Sequence, residues 1–300
     1  MIILKEEFKE KIINRHQKDG IKWLESINSV IDKYTNIFHL RDIKLLDYLS
    51  MNIILTANAQ DYGDIIIKIG APGMTFINEI KYINFMPIDN MVKCYYYNIE
   101  DRIMILEKIT PGYTLFNEKS FNKRLKIFSM LLNNVCKETM FLNKFPSYED
   151  KLKRKLIVAK SLDNVDPNIL DMLILSNDMY KEIASMNLPK YVLHKDLKHK
   201  NILKSETGWK MIDPHGVVGK KVFDTCQFIK AELPNNSVKS IKKIAKKVAK
   251  SINEDVDLIY KALYIDTTTK ILFYIKSKDD KDTISYNINL CKNILNCIKK

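Results

Sequence analysis

The sequence predicts an α+β fold in two lobes: a small antiparallel sheet behind a helical preface, then a larger, mostly helical part. Three observations predict it. β-Branched runs crowd into the window from 53 to 107, at Ile53-Ile54-Leu55 and Ile65-Ile66-Ile67-Lys68-Ile69. On either side of that window, charged and apolar residues alternate near helical spacing. A Thr110-Pro111-Gly112 step, built from residues that interrupt regular structure, lies where the two textures meet. The expected division is therefore residues 1–110 for the first lobe (preface 1–50, sheet 51–110) and residues 111–300 for the second.

Taken in order, residues 5–50 read as helix. The two β-branched runs flank Thr56–Gly63, a polar segment ending in Gly, and read as a hairpin. A helix is expected over Thr75–Phe85. Val92–Tyr97 and Ile103–Glu107 then read as two more strands joined by the turn Asn98-Ile99-Glu100-Asp101. Beyond the Pro-Gly step, Phe121–Leu142 follows the helical period. Asp166-Pro167 supplies an N-cap and a proline at the first helical position, opening a helix to Met186. Short strands are expected at Ile202–Lys204 and Trp209–Ile212, around Glu206-Thr207-Gly208. Helices should fill the chain from Val222 onward, with a break at Leu233-Pro234-Asn235-Asn236.

Composition narrows the class. Three hundred residues with 46% apolar content can bury a proper core. No uncharged apolar run approaches the roughly eighteen residues of a membrane span. Met1-Ile2-Ile3-Leu4 runs straight into Lys5, Glu6 and Glu7, too short for the core of a signal peptide. Cys94, Cys136, Cys226, Cys291 and Cys297 make no C-x-x-C pair and no disulfide framework, and the five histidines do not cluster with them. Reduced thiols and a cytoplasmic protein are expected. The net charge of +13 admits nucleic acid or an anionic surface as partner. Val238–Lys250 is a basic amphipathic stretch of the kind that can bind either. Lysine is spread over the whole chain, however, and no aromatic interleaving or RNA-binding signature accompanies it. Neither nucleic acid nor membrane is therefore expected as partner.

The chemistry concentrates in His194-Lys195-Asp196-Leu197-Lys198-His199-Lys200-Asn201, followed by Ile212-Asp213-Pro214. The pattern is H-x-D-x-x-x-x-N with a second Asp twelve residues after the Asn. Phosphoryl transfer asks a protein for positioning, charge neutralisation and a group that orients the attacking hydroxyl. Asp196 suits the last task. Asn201 and Asp213 offer hard oxygen ligands of the kind magnesium takes. His194 would hold the loop from beneath. Upstream, Lys68 lies on an apolar strand and Glu79 lies eleven residues on in the expected helix, the order of a phosphate-holding lysine and the acid that orients it. Glu107 and Ile109, where the small lobe ends, would present backbone groups to an adenine ring.

These residues resemble the aminoglycoside and hydroxyurea antibiotic-resistance kinases, the streptomycin 6-kinase type, among the protein-kinase-like small-molecule phosphotransferases. The resemblance rests on Ile67-Lys68, Gly70-Ala71-Pro72 and Glu79, on Leu106-Glu107-Lys108-Ile109-Thr110-Pro111-Gly112, on Leu193–Leu203, and on Trp209, Ile212-Asp213-Pro214, Gly216, Gly219 and Asp224. It implies a protein-kinase-like two-lobe fold and an ATP- and Mg2+-dependent enzyme, with GTP as the alternative nucleotide. The implied reaction phosphorylates a hydroxyl of a small molecule, an aminoglycoside such as streptomycin first among them, in a monomer or homodimer. It also implies that Asp224 buttresses the catalytic loop. Lys195 stands where the family usually has Gly, and Lys198 where it usually has His. A protein Ser/Thr kinase is the rival reading, since a Lys two residues after the base is its habit. It would need an A-P-E and an activation segment, and only eleven residues separate Asp213 from Asp224. A cationic acceptor would call on carboxylates such as Asp166, Asp171, Asp178, Glu182 or Glu232, none of which the sequence assigns.

Overall fold

A computed structural model of the protein describes residues 2–46, 51–86, 88–135, 140–161, 166–276 and 281–298. The chain divides into two compact units, Met1–Tyr113 with Leu203–His215, and Thr114–Ile202 with Gly216–Lys300.

The first unit opens with α1 (Glu6–Phe38), broken at Gln17, and continues through β1 (Arg41–Leu45), β2 (Ile53–Ala59), β3 (Gly63–Ile69), α2 (Met74–Phe85), β4 (Cys94–Asn98), β5 (Ile103–Glu107) and β6 (Pro111–Thr114). Strands β1 to β5 form one antiparallel sheet in the order β1-β2-β3-β5-β4. Side chains alternate across a strand, so Ile53, Leu55, Ile65, Ile67, Ile69, Ile103 and Ile105 share one face. That face packs on Phe8, Ile12, Trp23, Ile27 and Tyr34 of α1. The same alternation turns Lys68 to the other face.

The helical preface ends earlier than expected. α1 stops at Phe38, where His39 takes a left-handed conformation and donates its N–H to Thr35 O. The chain then forms β1, which pairs with β2 through Lys44 opposite Thr56. This edge strand, Arg-Asp-Ile-Lys-Leu, is mostly exposed, and its only apolar alternation, Ile43 and Leu45 about Lys44, is too short to stand out from the charged run around it. Residues 47–50 lie outside the described residues. The turn expected over Thr56–Gly63 is shorter, because β2 continues to Ala59 with Ala57 and Ala59 buried.

In the second unit come α3 (Phe121–Val135), α4 (Tyr148–Lys160), α5 (Pro167–Ser185), the strand β7 (Tyr191–Leu193), α6 (Thr225–Glu232), α7 (Val238–Ile252), α8 (Val256–Lys276) and α9 (Lys281–Ile298). Short strands β8 (Ile202–Ser205) and β9 (Trp209–Met211) follow the loop after β7 and, from Leu203 on, belong to the first unit, whereas β10 (Val217–Gly219) pairs with β7 in the second. The helix expected to reach Leu142 is described as far as Val135; residues 136–139 lie outside the described residues, and Leu142–Lys144 form a separate single 3-10 turn. Helix α4 was not expected; its run Lys-Leu-Lys-Arg-Lys-Leu hides an apolar stripe behind charge, and Ser147 caps it by accepting from Asp150 N–H. The basic stretch 238–250 lies in α7, whose Ile241, Ala245 and Val248 are buried among α3, α6, α8 and α9. Its apolar face is thus already covered. No helix among the described residues is long and apolar enough to cross a membrane.

Candidate active site

In the first unit the β3 register carries Lys68 inward from a position opposite Ile54 and Met104. Its ammonium, buried, lies 2.5 Å from Glu79 Oε1 on α2 and 2.5 Å from Asp213 Oδ1. Burial works against the charge, but the carboxylates of Asp213 and Glu79 outweigh it and hold the Lys68 pKa above the usual lysine value. Burial pushes the Glu79 carboxyl up, with Asp213 adding to the push and Lys68 opposing it. Asp213 has a left-handed backbone (φ 59°) and its side chain is 47% exposed. Glu107 ends β5, and its N–H donates to Lys93 O at 3.0 Å. The Glu107 carboxylate accepts from Lys93 N–H at 2.6 Å and from Lys210 Nζ at 2.5 Å. Ile109 sits in the connector that follows, where Gly112 takes a positive φ of 76° and a Cβ on it would meet Ile109 O at 2.8 Å.

The second unit holds the loop after β7. His194 is fully buried, and its Nδ1 accepts from Asp196 N–H at 3.3 Å. Asp224, also buried, accepts the N–H of His194 at 2.9 Å and of Lys195 at 2.5 Å. Burial pushes the Asp224 carboxyl up to about 6 against the pull of those two N–H groups and the Lys195 charge. Asn201 Nδ2 donates to Asp196 O at 2.9 Å and to Asp196 Oδ2 at 2.8 Å. That use of the amide nitrogen turns Asn201 Oδ1 to the side away from Asp196, the donor a hard cation would need. With the half-exposed carboxylate of Asp213, the residues fit magnesium by donor type.

Of the sequence-derived candidates, the structure brings Lys68, Glu79 and Asp213 into one cluster, and His194, Asp196, Asn201 and Asp224 into another. Residues 78–268 match the family described as aminoglycoside/hydroxyurea antibiotic resistance kinase. The chain belongs to that family. It is accordingly a kinase that phosphorylates a hydroxyl of a small molecule, a class other than the rival protein Ser/Thr kinase. No curated protein sequence matches it. Among solved structures, this kinase is similar to choline kinase LicA from Streptococcus pneumoniae, at 16% identity over 91% of this chain and 98% of that one, with a TM-score of 0.66. It is similar to a thermostable mutant of aminoglycoside phosphotransferase APH(4)-Ia in ternary complex with ADP and hygromycin B, at 10% identity over 91% and 99% of the two chains, TM-score 0.66. It is also similar to an ethanolamine kinase of Plasmodium vivax, at 12% identity over 98% and 96%, TM-score 0.66. These likenesses establish the protein-kinase-like fold.

The structure of this resistance-family kinase ties Lys195 and Lys198 into a charge network that the sequence does not reveal. Lys195 Nζ is buried and reaches Asp266 Oδ1 on α8 at 2.5 Å. Asp266 Oδ2 accepts from Gln227 Nε2 at 2.8 Å and from Lys230 Nζ at 2.5 Å, both on α6. Burial opposes the Asp266 charge, yet Lys195, Lys230 and Lys270 hold its carboxyl well below the usual range. Lys270 donates to Gln227 Oε1 at 2.8 Å. Lys198 reaches Asp196 Oδ2 at 2.7 Å. Next to this network lies an open cleft of about 420 Å³, lined by Lys198, Lys200, Lys230 and Lys270, with Phe116, Tyr274 and Tyr286 among its apolar walls. A lone Asp in the run Ala-Leu-Tyr-Ile-Asp-Thr is the one sequence signal that could have marked Asp266.

The carboxylates a cationic acceptor would need are engaged or lie elsewhere. Glu232 is buried and spent on Arg124 and His199, at 2.6 Å each. Asp178 pairs with Lys181 and Glu182 with Lys261. Asp166 caps α5 and, with Asp171, lines a second cleft beside Tyr264 and Lys292.

Proposed function

We propose that the protein is an ATP- and Mg2+-dependent phosphotransferase in which Asp196 acts on the acceptor hydroxyl. The acceptor oxygen attacks the γ-phosphorus, a new P–O bond forms, the bond to the β,γ-bridging oxygen breaks, and ADP leaves with that electron pair. The hydroxyl proton passes to Asp196. Lys68 holds the α- and β-phosphates, and Glu79 orients it. Asn201 and Asp213 would hold the magnesium ion, which when bound neutralises phosphate charge. Glu107 and Ile109 present backbone groups to the adenine. His194 and Asp224 keep the catalytic loop in shape. The observation that carries this reading is the buried Lys68 ammonium set between Glu79 and Asp213 at 2.5 Å. It is supported by the ADP held in the similar aminoglycoside phosphotransferase.

The decisive variant is Asp196→Ala. Loss of a general base lowers turnover by about 10²–10⁴-fold, and calorimetry should find ATP still bound. Turnover near the wild-type rate would sink the assignment. The family description favours an aminoglycoside such as streptomycin as acceptor; streptomycin-dependent ADP release tests that second reading in the same assay.

A further inference from the structure

The cleft beside the catalytic loop is built for negative charge. Four lysines line it, and no carboxylate does among the described residues. Lys195 lies just behind them, on Asp266. Five ammonium groups thus face two carboxylates, Asp196 paired with Lys198 and Asp266 shared by Lys195 and Lys230. Lys270 has only the amide oxygen of Gln227, and Lys200 has no hydrogen-bond or ion-pair partner among the described residues. Burial and the nearby Lys230 bring the Lys270 pKa down to about 8. Burial and the Lys195 charge bring Lys155, behind the same network, to about 8 as well. Crowded like charges in a low-dielectric wall repel one another, and an anion in the cleft relieves that repulsion. A choline or a polycationic antibiotic would add to it. Aromatic faces such as Tyr286 could receive an ammonium, but here they share the cleft with the four lysines. They equally suit the flat face of a sugar ring.

We infer that the acceptor of this kinase is anionic: a small hydroxyl compound bearing a phosphate or carboxylate group, whose negative charge is held by Lys200, Lys230 and Lys270 while its hydroxyl meets Asp196. The inference rests on the phosphotransferase reading above. The transfer itself is unchanged, with the acceptor oxygen taking the γ-phosphoryl group, ADP leaving, and the proton going to Asp196.

The test measures ADP release and transfer of the γ-phosphoryl group to matched acceptors. Glucose 6-phosphate is set against glucose, glycerate against glycerol, and choline and streptomycin serve as cations. The anionic member of a pair should show kcat/KM at least about tenfold above its neutral partner. Lys200→Gln, at an exposed position that folding does not need, and Lys270→Gln should each raise KM for that anion by about tenfold with a much smaller change in kcat. Neutral or cationic acceptors used as well as the anions, or a KM unmoved in both variants, would overturn the proposal. Should no panel member turn over, calorimetry with glucose 6-phosphate and glycerate decides. Binding of either that weakens in Lys270→Gln supports the cleft, and no binding at about 10 mM overturns it. ATP binding and acceptor-free ATP hydrolysis by the wild type are measured alongside; absence of both sinks the phosphotransferase reading while leaving the anion result standing by itself.

Discussion

At the scale of the residue, Lys195 is tied down twice, once through its backbone and once through its side chain. Its backbone sits in the left-handed region at φ 65°, where the family's usual glycine is at ease and a lysine is not. Its N–H goes to Asp224 and its ammonium to Asp266. Removing one partner of a buried ion pair leaves the other charge stranded, at a cost of about 3–5 kcal/mol. Asp266→Asn should therefore lower stability by that amount in urea unfolding at neutral pH. The sign with pH follows from the depressed pKa. The Asp266 contribution is complete above the ordinary carboxylate value of 3.8 and disappears as pH falls through its lower folded value. The gap between wild type and variant should thus narrow below about pH 4, and a gap that widened there would contradict the assignment. That Lys68 would meet Glu79 and Asp213, and Asp196 meet Asn201, could be anticipated from the sequence because the proposed phosphate chemistry fixes their types and order. The meeting of Asp266, Lys230 and Gln227 could not, since it depends on how α6 and α8 pack and on no constant spacing.

Among the elements, the β3–α2 junction is the most tightly built. A Cβ on Gly70 would lie 2.0 Å from the Phe76 ring, and Arg102 donates to the carbonyls of Gly70, Ala71 and Gly73. Phe76 is buried and cannot retreat freely. Gly70→Ala should destabilise the protein by about 1–3 kcal/mol through overpacking, read as a lower urea midpoint with an unchanged slope. Because α2 carries Glu79, the same variant should also weaken ATP binding; full ATP affinity would separate the turn from the lysine it helps place. The strands with β-branched runs and the helix opened by Asp166-Pro167 were legible because pattern and caps agree. β1 and α4 were not, since one is an exposed edge strand and the other a helix whose apolar positions are outnumbered by lysine and arginine.

On the scale of the whole molecule, ligand binding should register as stability. With Mg-ATP at a hundred times its Kd, linkage adds about 2.7 kcal/mol, so the melting temperature should rise by several degrees, and EDTA should remove most of that gain if Asn201 and Asp213 hold the metal. An EDTA-insensitive shift would leave them without that role. The +13 net charge was plain in the sequence, but its distribution was not. Lysines from the catalytic loop, α6 and α8 converge on one cleft only after folding. That convergence bears on the end of the catalytic cycle. If the acceptor sits in that cleft as proposed, each turnover adds about two negative charges to it, and the lysines should grip the product harder than the compound they first captured. On that reading departure of product should set the pace, and moderate salt, by screening that grip, should speed saturated turnover rather than slow it.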